Sequence, residues 1–191
     1  MSRITGLILA GGLARRMGGG DKGLRLFRGQ SMVAHAIERL APQVDTLIIN
    51  ANQNREAYAA LGYPVVADAI EGYVGPLAGL HAGLSACTTP LMATAPCDSP
   101  FLPLDLVARL DAALETAGAQ LAVAHCGGYT QPVFALCRRE LLDDLGAFLR
   151  SGERKVDAWY ASLNMVQVPF PDETAFANIN TPEELERLEP Q

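Results

Sequence analysis

No apolar run in this chain approaches the roughly 20 residues that a membrane span requires, and Leu7 to Ala10 runs into glycine and arginine too early to act as a signal peptide. Positive charge is not in excess. Fifteen Lys and Arg stand against 21 Asp and Glu, a formal net charge of -6, and a surface of that sign repels nucleic acid. Only four cysteines are present, Cys87, Cys97, Cys126 and Cys137, at spacings of 10, 29 and 11 residues. They form no Cys-x-x-Cys pair and meet no His at a zinc-finger interval, so they are expected as reduced thiols. Internal repeats, low-complexity tracts and linkers are also lacking. What is left is a cytoplasmic enzyme or binding protein with no nucleic-acid or membrane partner, and 191 residues at 49% hydrophobic composition are enough for one domain with a full core.

The charge is unevenly placed. Residues 1 to 30 hold Arg3, Arg15, Arg16, Lys22, Arg25 and Arg28 against Asp21 alone, which would draw a small anion to that end. Along the chain, short apolar runs alternate with segments of helical period, the pattern of a sheet covered by helices on both faces. Strands are expected at Ile4–Ala10, Thr46–Asn50, Pro64–Ala67, Leu91–Ala95 and Gln120–His125, with Met165–Val168 at an edge. Helices are expected at Ser31–Leu40, Arg55–Leu61, Pro76–Ala86, Pro103–Ala117, Arg139–Leu149 and Arg154–Leu163. Gln131–Cys137 would return antiparallel through a Gly-Gly turn, and Thr181-Pro182-Glu183-Glu184 is a capping box for a last helix. The fold class is therefore α/β: a single three-layer α/β/α Rossmann-like domain with a mostly parallel sheet and an antiparallel addition.

Two stretches carry the chemistry. In "LILAGGLARRMGGGDKGL" the first strand ends on Gly11 and Gly12, and Gly18, Gly19 and Gly20 follow. Glycines at a strand's carboxyl end let backbone N–H groups approach phosphate oxygens, and Arg15, Arg16 and Lys22 add charge-assisted bonds. The stretch is neither a Walker loop, since Lys22 lies between Asp21 and Gly23, nor a dinucleotide fingerprint, which Gly11-Gly12-Leu13 breaks. Further on, "TAPCDSPFLP" places Asp98 just past an apolar strand. A carboxylate there either holds Mg²⁺, which takes one or two carboxylates and completes its shell with water and phosphate, or caps a turn or the following helix.

Taken together, Leu9-Ala10-Gly11-Gly12, Arg15-Arg16-Met17-Gly18, Asp21-Lys22, Pro96-Cys97-Asp98-Ser99-Pro100 and Asn178-Ile179-Asn180-Thr181-Pro182-Glu183 resemble the molybdenum cofactor guanylyltransferases of the MobA type. Asn50, Asp68 and "GPLAGL" (Gly75 to Leu80) extend the resemblance over essentially the whole chain, residues 1–191. It implies an enzyme, a nucleotidyltransferase of molybdenum cofactor biosynthesis. GTP and molybdopterin would give the guanine dinucleotide cofactor and pyrophosphate, with Mg²⁺.

By position, the resemblance implies that Leu9, Ala10, Gly11, Gly12, Asn50 and Asp68 belong to the GTP site and that Lys22 meets GTP phosphate. Asp98 would contact both nucleotide and metal, and Arg16, Lys22 and Asp98 would carry catalysis. Gly75 and Gly79, with Asn178 and Asn180 of the carboxyl-terminal half, are tied to the molybdopterin side, and in that half Arg154 and Lys155 would meet the pterin phosphate. Gln131-Pro132 corresponds to a short segment opposite the cleft. Other cofactor-biosynthesis proteins and recipient molybdoenzymes are implied partners. Phosphate attacking phosphate gathers negative charge, so catalysis is positioning and neutralisation, with no general base, and His35, His81 and His125 need no part in it. Asp68 would pair with the guanine N1–H and N2–H₂ edge. Rivals are a cytidylyltransferase for the same pterin, whose first strand tends to end Thr-Ala-Gly-Gly, a sugar-phosphate nucleotidyltransferase with Leu-Ala-Ala-Gly and a longer chain, and a noncatalytic carrier of the cofactor that would tolerate loss of Asp98.

Overall fold

The computed structural model describes residues 3–10, 21–70 and 75–179. Strand β1 (Ile4–Leu9) is apolar almost throughout because it is covered on both faces: Ile4 and Ile8 enter one core while Leu7 enters the other. A two-residue hairpin follows, β2 (Leu26–Phe27) and β3 (Gln30–Ser31), then α1 (Met32–Leu40), β4 (Thr46–Asn50), α2 (Arg55–Ala59), β5 (Val65–Val66) and α3 (Pro76–Ala86). Next come β6 (Leu91–Pro96), α4 (Leu106–Ala117), β7 (Leu121–Cys126), β8 (Tyr129–Arg138), α5 (Leu142–Arg150), α6 (Val156–Tyr160) and β9 (Met165–Pro169).

Seven strands form one sheet in the order β5-β4-β1-β6-β8-β7-β9, all parallel to their neighbours except β8. From β1 the chain moves outward to β4 and β5, then crosses back through α3 to β6 on the opposite flank of β1. That reversal opens a crevice at the carboxyl ends of β1 and β6, the place where open α/β sheets bind ligands. Leu9 pairs with Asn50 on one side and with Pro96 on the other, so the three strands end level.

One face packs α1 and α4 through Val33, Ile37, Leu106, Leu110 and Leu114. The other packs α3, α5 and α6 through Leu80, Leu84, Leu145, Leu149 and Trp159. The three layers and mixed sheet expected from the sequence are present, with differences at the boundaries. Helix α4 starts at Leu106 and not at Pro103, because Pro103 to Asp105 form a turn closed by Leu106 N–H on the Pro103 carbonyl (3.3 Å). A 3-10 turn over Arg139–Leu141 precedes α5, and α6 is a five-residue helix where Arg154–Leu163 was expected. The antiparallel return is longer than Gln131–Cys137. It begins at Tyr129, directly after Gly127 and Gly128, whose φ values of +60° and +80° supply the tight turn. The β2–β3 hairpin and a 3-10 turn at Glu173–Phe176 had no expectation. The capping box at Thr181 lies outside the described residues. No helix among the described residues is long and apolar enough to cross a membrane.

Candidate active site

Lys22 and Asp98 meet at the crevice. The Lys22 ammonium donates to Asp98 Oδ2, and both side chains are mostly covered, 16% and 13% exposed. A lone charge in such a place would cost several kcal/mol, so the pair fixes the cleft's polar geometry. Asp98 does not cap α4, whose N-cap position is Asp105.

Backbone bonds hold the Asp98 turn in line with β1. Cys97 N–H donates to the Leu9 carbonyl (3.1 Å), and Ala10 N–H donates to the Asn50 carbonyl (2.8 Å). From the far end of the chain, Ile179 N–H donates to the Asp98 carbonyl (3.1 Å), and Ser99 Oγ donates to Asn178 Oδ1. Ile179 is fully buried against Phe27 and Met32, which anchors this strap.

The turn that carries Lys22 is also clamped. Asp21 Oδ1 accepts from the Tyr58 hydroxyl and from Gly23 N–H (3.2 Å), while Asp21 Oδ2 accepts from Asn54 Nδ2 (3.2 Å). Tyr58 is fully buried, and desolvation, with Cys97 and the Asp21 bond as lesser causes, pushes its hydroxyl well above the usual range. Burial likewise pushes up the Cys97 thiol, helped by the nearby Asp98 and Asp21 charges, so it sits there as a neutral packing group.

A second polar group sits on the β4 side. Asn50, buried at the end of β4, donates through Nδ2 to Asp68 Oδ1 (2.9 Å) and to the Val66 carbonyl (3.3 Å). Asn52 Nδ2 donates to Asp68 Oδ2 (2.8 Å), and Asp68 N–H donates back to Asn52 Oδ1 (2.8 Å). Gly79 of α3 lies against this group: a Cβ there would overlap Asn50 Oδ1 and stand 2.7 Å from Leu9 Cδ2. The missing side chain lets the first turns of α3, with Gly75 at the N-cap position, reach the ends of β1 and β4.

Of the residues singled out in the sequence, the fold thus gathers Leu9, Ala10, Lys22, Asn50, Asp68, Gly79 and Asp98 at the carboxyl ends of β1, β4 and β6, with Gly75 at the start of α3 and Asn178 on the strap. Gly11, Gly12, Arg15, Arg16 and Asn180 lie outside the described residues. Arg154 and Lys155 are exposed just before α6. Gln131-Pro132 stands near the start of β8, at the end of the sheet where β7 finishes, and the Pro132 carbonyl accepts from the Tyr160 hydroxyl (2.6 Å). His81 packs between α3 and α5, where desolvation and then Arg150 lower its pKa. Tyr58, Asn54, Asn52 and Ser99 were not assigned roles from sequence. Their partners are 37, 33, 16 and 79 residues away, and no local pattern encodes such pairings.

Among the described residues no group of three or more His, Cys, Asp or Glu side chains could hold a metal together. The Asp98 carboxylate can give a divalent cation one ligand, its other positions going to phosphate oxygens and water, and does not make an all-protein metal cage.

Comparison with known proteins gives the family. Residues 6–166 match the MobA-like NTP transferase domain. A molybdenum cofactor guanylyltransferase of Ralstonia nicotianae is 53% identical over 98% of this chain and 96% of its own length. One from Cupriavidus necator is 54% identical over 95% and 94%. The crystal structure of molybdopterin-guanine dinucleotide biosynthesis protein A from Archaeoglobus fulgidus superposes with a TM-score of 0.77 at 25% identity, covering 96% of this chain and 95% of that one. The chain belongs to the MobA-like NTP transferase family, among relatives named molybdenum cofactor guanylyltransferase.

Proposed function

We propose that this protein transfers GMP from GTP to the terminal phosphate of molybdopterin, releasing pyrophosphate. The observation that carries the proposal is the Lys22–Asp98 pair at the crevice between β1 and β6. Each member matches one component of a metal-bound triphosphate, Lys22 a phosphate oxygen and Asp98 a divalent cation. On binding, the two charges exchange each other for new partners of the same sign, so neither is left uncompensated in a covered site.

The nucleophile is a phosphate oxygen already ionised, so no side chain need accept a proton. What the chain must do is align two anions and offset their charge. Lys22 is aimed by the Asp21 clamp, and Asp98 by the bond of its neighbour Cys97 to β1 and by its own carbonyl's bond to the Ile179 strap. Asp98 would hold Mg²⁺, which when bound supplies charge neutralisation on the phosphates. Leu9 and Ala10, with Gly11 and Gly12 beyond them, would receive the nucleoside. Arg16 would add charge at the phosphates, and Asp68 would face the guanine edge. Gly75, Arg154, Asn178 and Asn180 are assigned to the molybdopterin side, as Gly79 was from sequence, while the packing of Gly79 against Asn50 and Leu9 ties it to the nucleotide side. The four cysteines, all free and buried, suit the reducing cytoplasm that this activity implies. Cofactor-biosynthesis proteins and recipient molybdoenzymes are the expected partners.

The test mixes the protein with each of the four NTPs, Mg²⁺ and molybdopterin and identifies the product by mass, alongside Lys22→Ala and Asp98→Ala. A guanine dinucleotide from the unmodified chain is expected, with either substitution lowering kcat/KM by about 100-fold or more, the usual effect of removing a group that neutralises developing charge. A carrier of finished cofactor would release no pyrophosphate and would lose nothing with Asp98→Ala.

A further inference from the structure

We infer that Asn52 is a positioning residue for guanine: it holds the Asp68 carboxylate in the one orientation that reads the purine's N1–H and N2–H₂ together. The inference rests on the proposed GTP site and adds to it a residue assigned no role above.

Its basis is the pattern of donors around Asp68. A carboxylate has two oxygens and about four lone-pair sites. Asn50 supplies one N–H to Oδ1 at 2.9 Å, and Asn52 supplies one to Oδ2 at 2.8 Å, so each oxygen keeps a lone pair for a ligand. Two side-by-side acceptors match two side-by-side donors, and guanine presents such a pair whereas adenine presents an acceptor at N1 and no amine at C2. An acceptor facing a carboxylate leaves a desolvated charge unpaired, which rejects the wrong base.

The two asparagines are not equivalent. Asn50 is buried at the end of β4, bonded also to the Val66 carbonyl and packed beneath Gly79, so it belongs to the framework. Asn52 is exposed, and its amide makes a reciprocal bracket, Nδ2 to Oδ2 and Oδ1 from the Asp68 N–H (2.8 Å). That bracket ties the side chain of Asp68 to its own backbone at both ends. Without it Oδ1 is still held by Asn50, but the carboxylate plane can turn about that single bond and Oδ2 takes water. One base contact survives and the pair is lost.

Inosine triphosphate separates the two contacts, since it keeps the N1–H and lacks the N2 amine. Affinities for GTP, ITP and ATP are to be measured calorimetrically on the full chain and on Asn52→Ala, with thermal midpoints for both. The intact protein is expected to prefer GTP over ITP by roughly tenfold, the scale of one hydrogen bond to a charged group. Asn52→Ala is expected to hold ITP almost as before while losing most of that preference, with a thermal midpoint near that of the parent. Equal weakening for all three nucleotides, or an unchanged GTP-to-ITP ratio, would mean that Asn52 only closes the surface turn and would overturn the inference. If the intact protein itself does not distinguish GTP from ITP, the assignment of Asp68 to guanine fails and the inference with it. The product assay described above judges the transferase activity separately.

Discussion

Gly79 lies where α3 crosses Asn50 and Leu9, a contact that its expected place on the molybdopterin side does not reveal. A methyl group there must push either α3 or Asn50 aside, and Asn50 holds Oδ1 of Asp68. Gly79→Ala is expected to cost about 1–3 kcal/mol of stability, the usual range for overpacking. It should also raise the KM for GTP more than it lowers kcat, because the displaced group is the one proposed to face the base and not the phosphates. Denaturant titration and steady-state kinetics check the two parts; an unchanged KM would show that Asn50 moves without consequence. At this scale the sequence is informative wherever a residue's task is set by its near neighbours. Asp98 stands in a strand-end turn and Lys22 after a glycine-rich stretch, and each is recognisable from a few adjacent residues. Tyr58 and Asn52 do not, because what gives them a role is a partner brought close only by the sheet.

Most of the regular elements were legible because burial on two faces makes the strands continuous apolar runs and leaves the helices with a helical period. Helix α1 and strand β4 appear almost as read. The start of α4 was not legible. Pro103 looks like a first-turn proline, yet the helix begins three residues later, where its free N–H groups find an acceptor from elsewhere in the chain. Gln43, in the 3-10 turn after α1, accepts from Val107 N–H through Oε1 (2.9 Å) and donates through Nε2 to the Arg39 and Pro103 carbonyls (2.8 and 2.9 Å). One side chain thus caps α4 and ties it to the end of α1, a task usually left to a residue at the helix's own N-cap. Gln43→Ala is expected to lower stability by about 1–2 kcal/mol, measured by urea unfolding, and to accelerate amide exchange in the first turn of α4 ahead of the rest of the helix. Uniform exchange along α4 would argue that the turn over Pro103 to Asp105 alone defines its start. The β2–β3 hairpin escaped notice for a related reason: strands of two residues carry too little periodicity to be read.

Across the whole molecule, the chain reverses direction next to β1 and then, about eighty residues after Asp98, comes back to touch it. Asp98 is bonded toward the amino-terminal half through Lys22 and toward the carboxyl-terminal half through Ile179 N–H, with Ser99 and Asn178 alongside. The motif around Asn178 and the motif around Asp98 were each visible in the sequence, but not that one fastens the other, since a separation of 79 residues leaves no periodic trace. This connection makes the Asp98 turn depend on the packing of a residue near the far end of the chain. Ile179 is fully buried with Phe27 and Met32, next to Phe101. Ile179→Ala removes the anchor while leaving the backbone N–H that bonds Asp98. A cavity of that kind costs about 2–5 kcal/mol. If the strap positions Asp98, the loss should also appear as a higher Mg²⁺ requirement for half-maximal rate in the fraction that remains folded, with the KM for GTP at saturating Mg²⁺ less affected. Magnesium titrations below the unfolding transition, with the folded fraction followed by circular dichroism, read this directly. A variant that is less stable yet keeps its parent's magnesium dependence would reduce the strap to packing alone and leave the Asp98 geometry to β1 and Lys22.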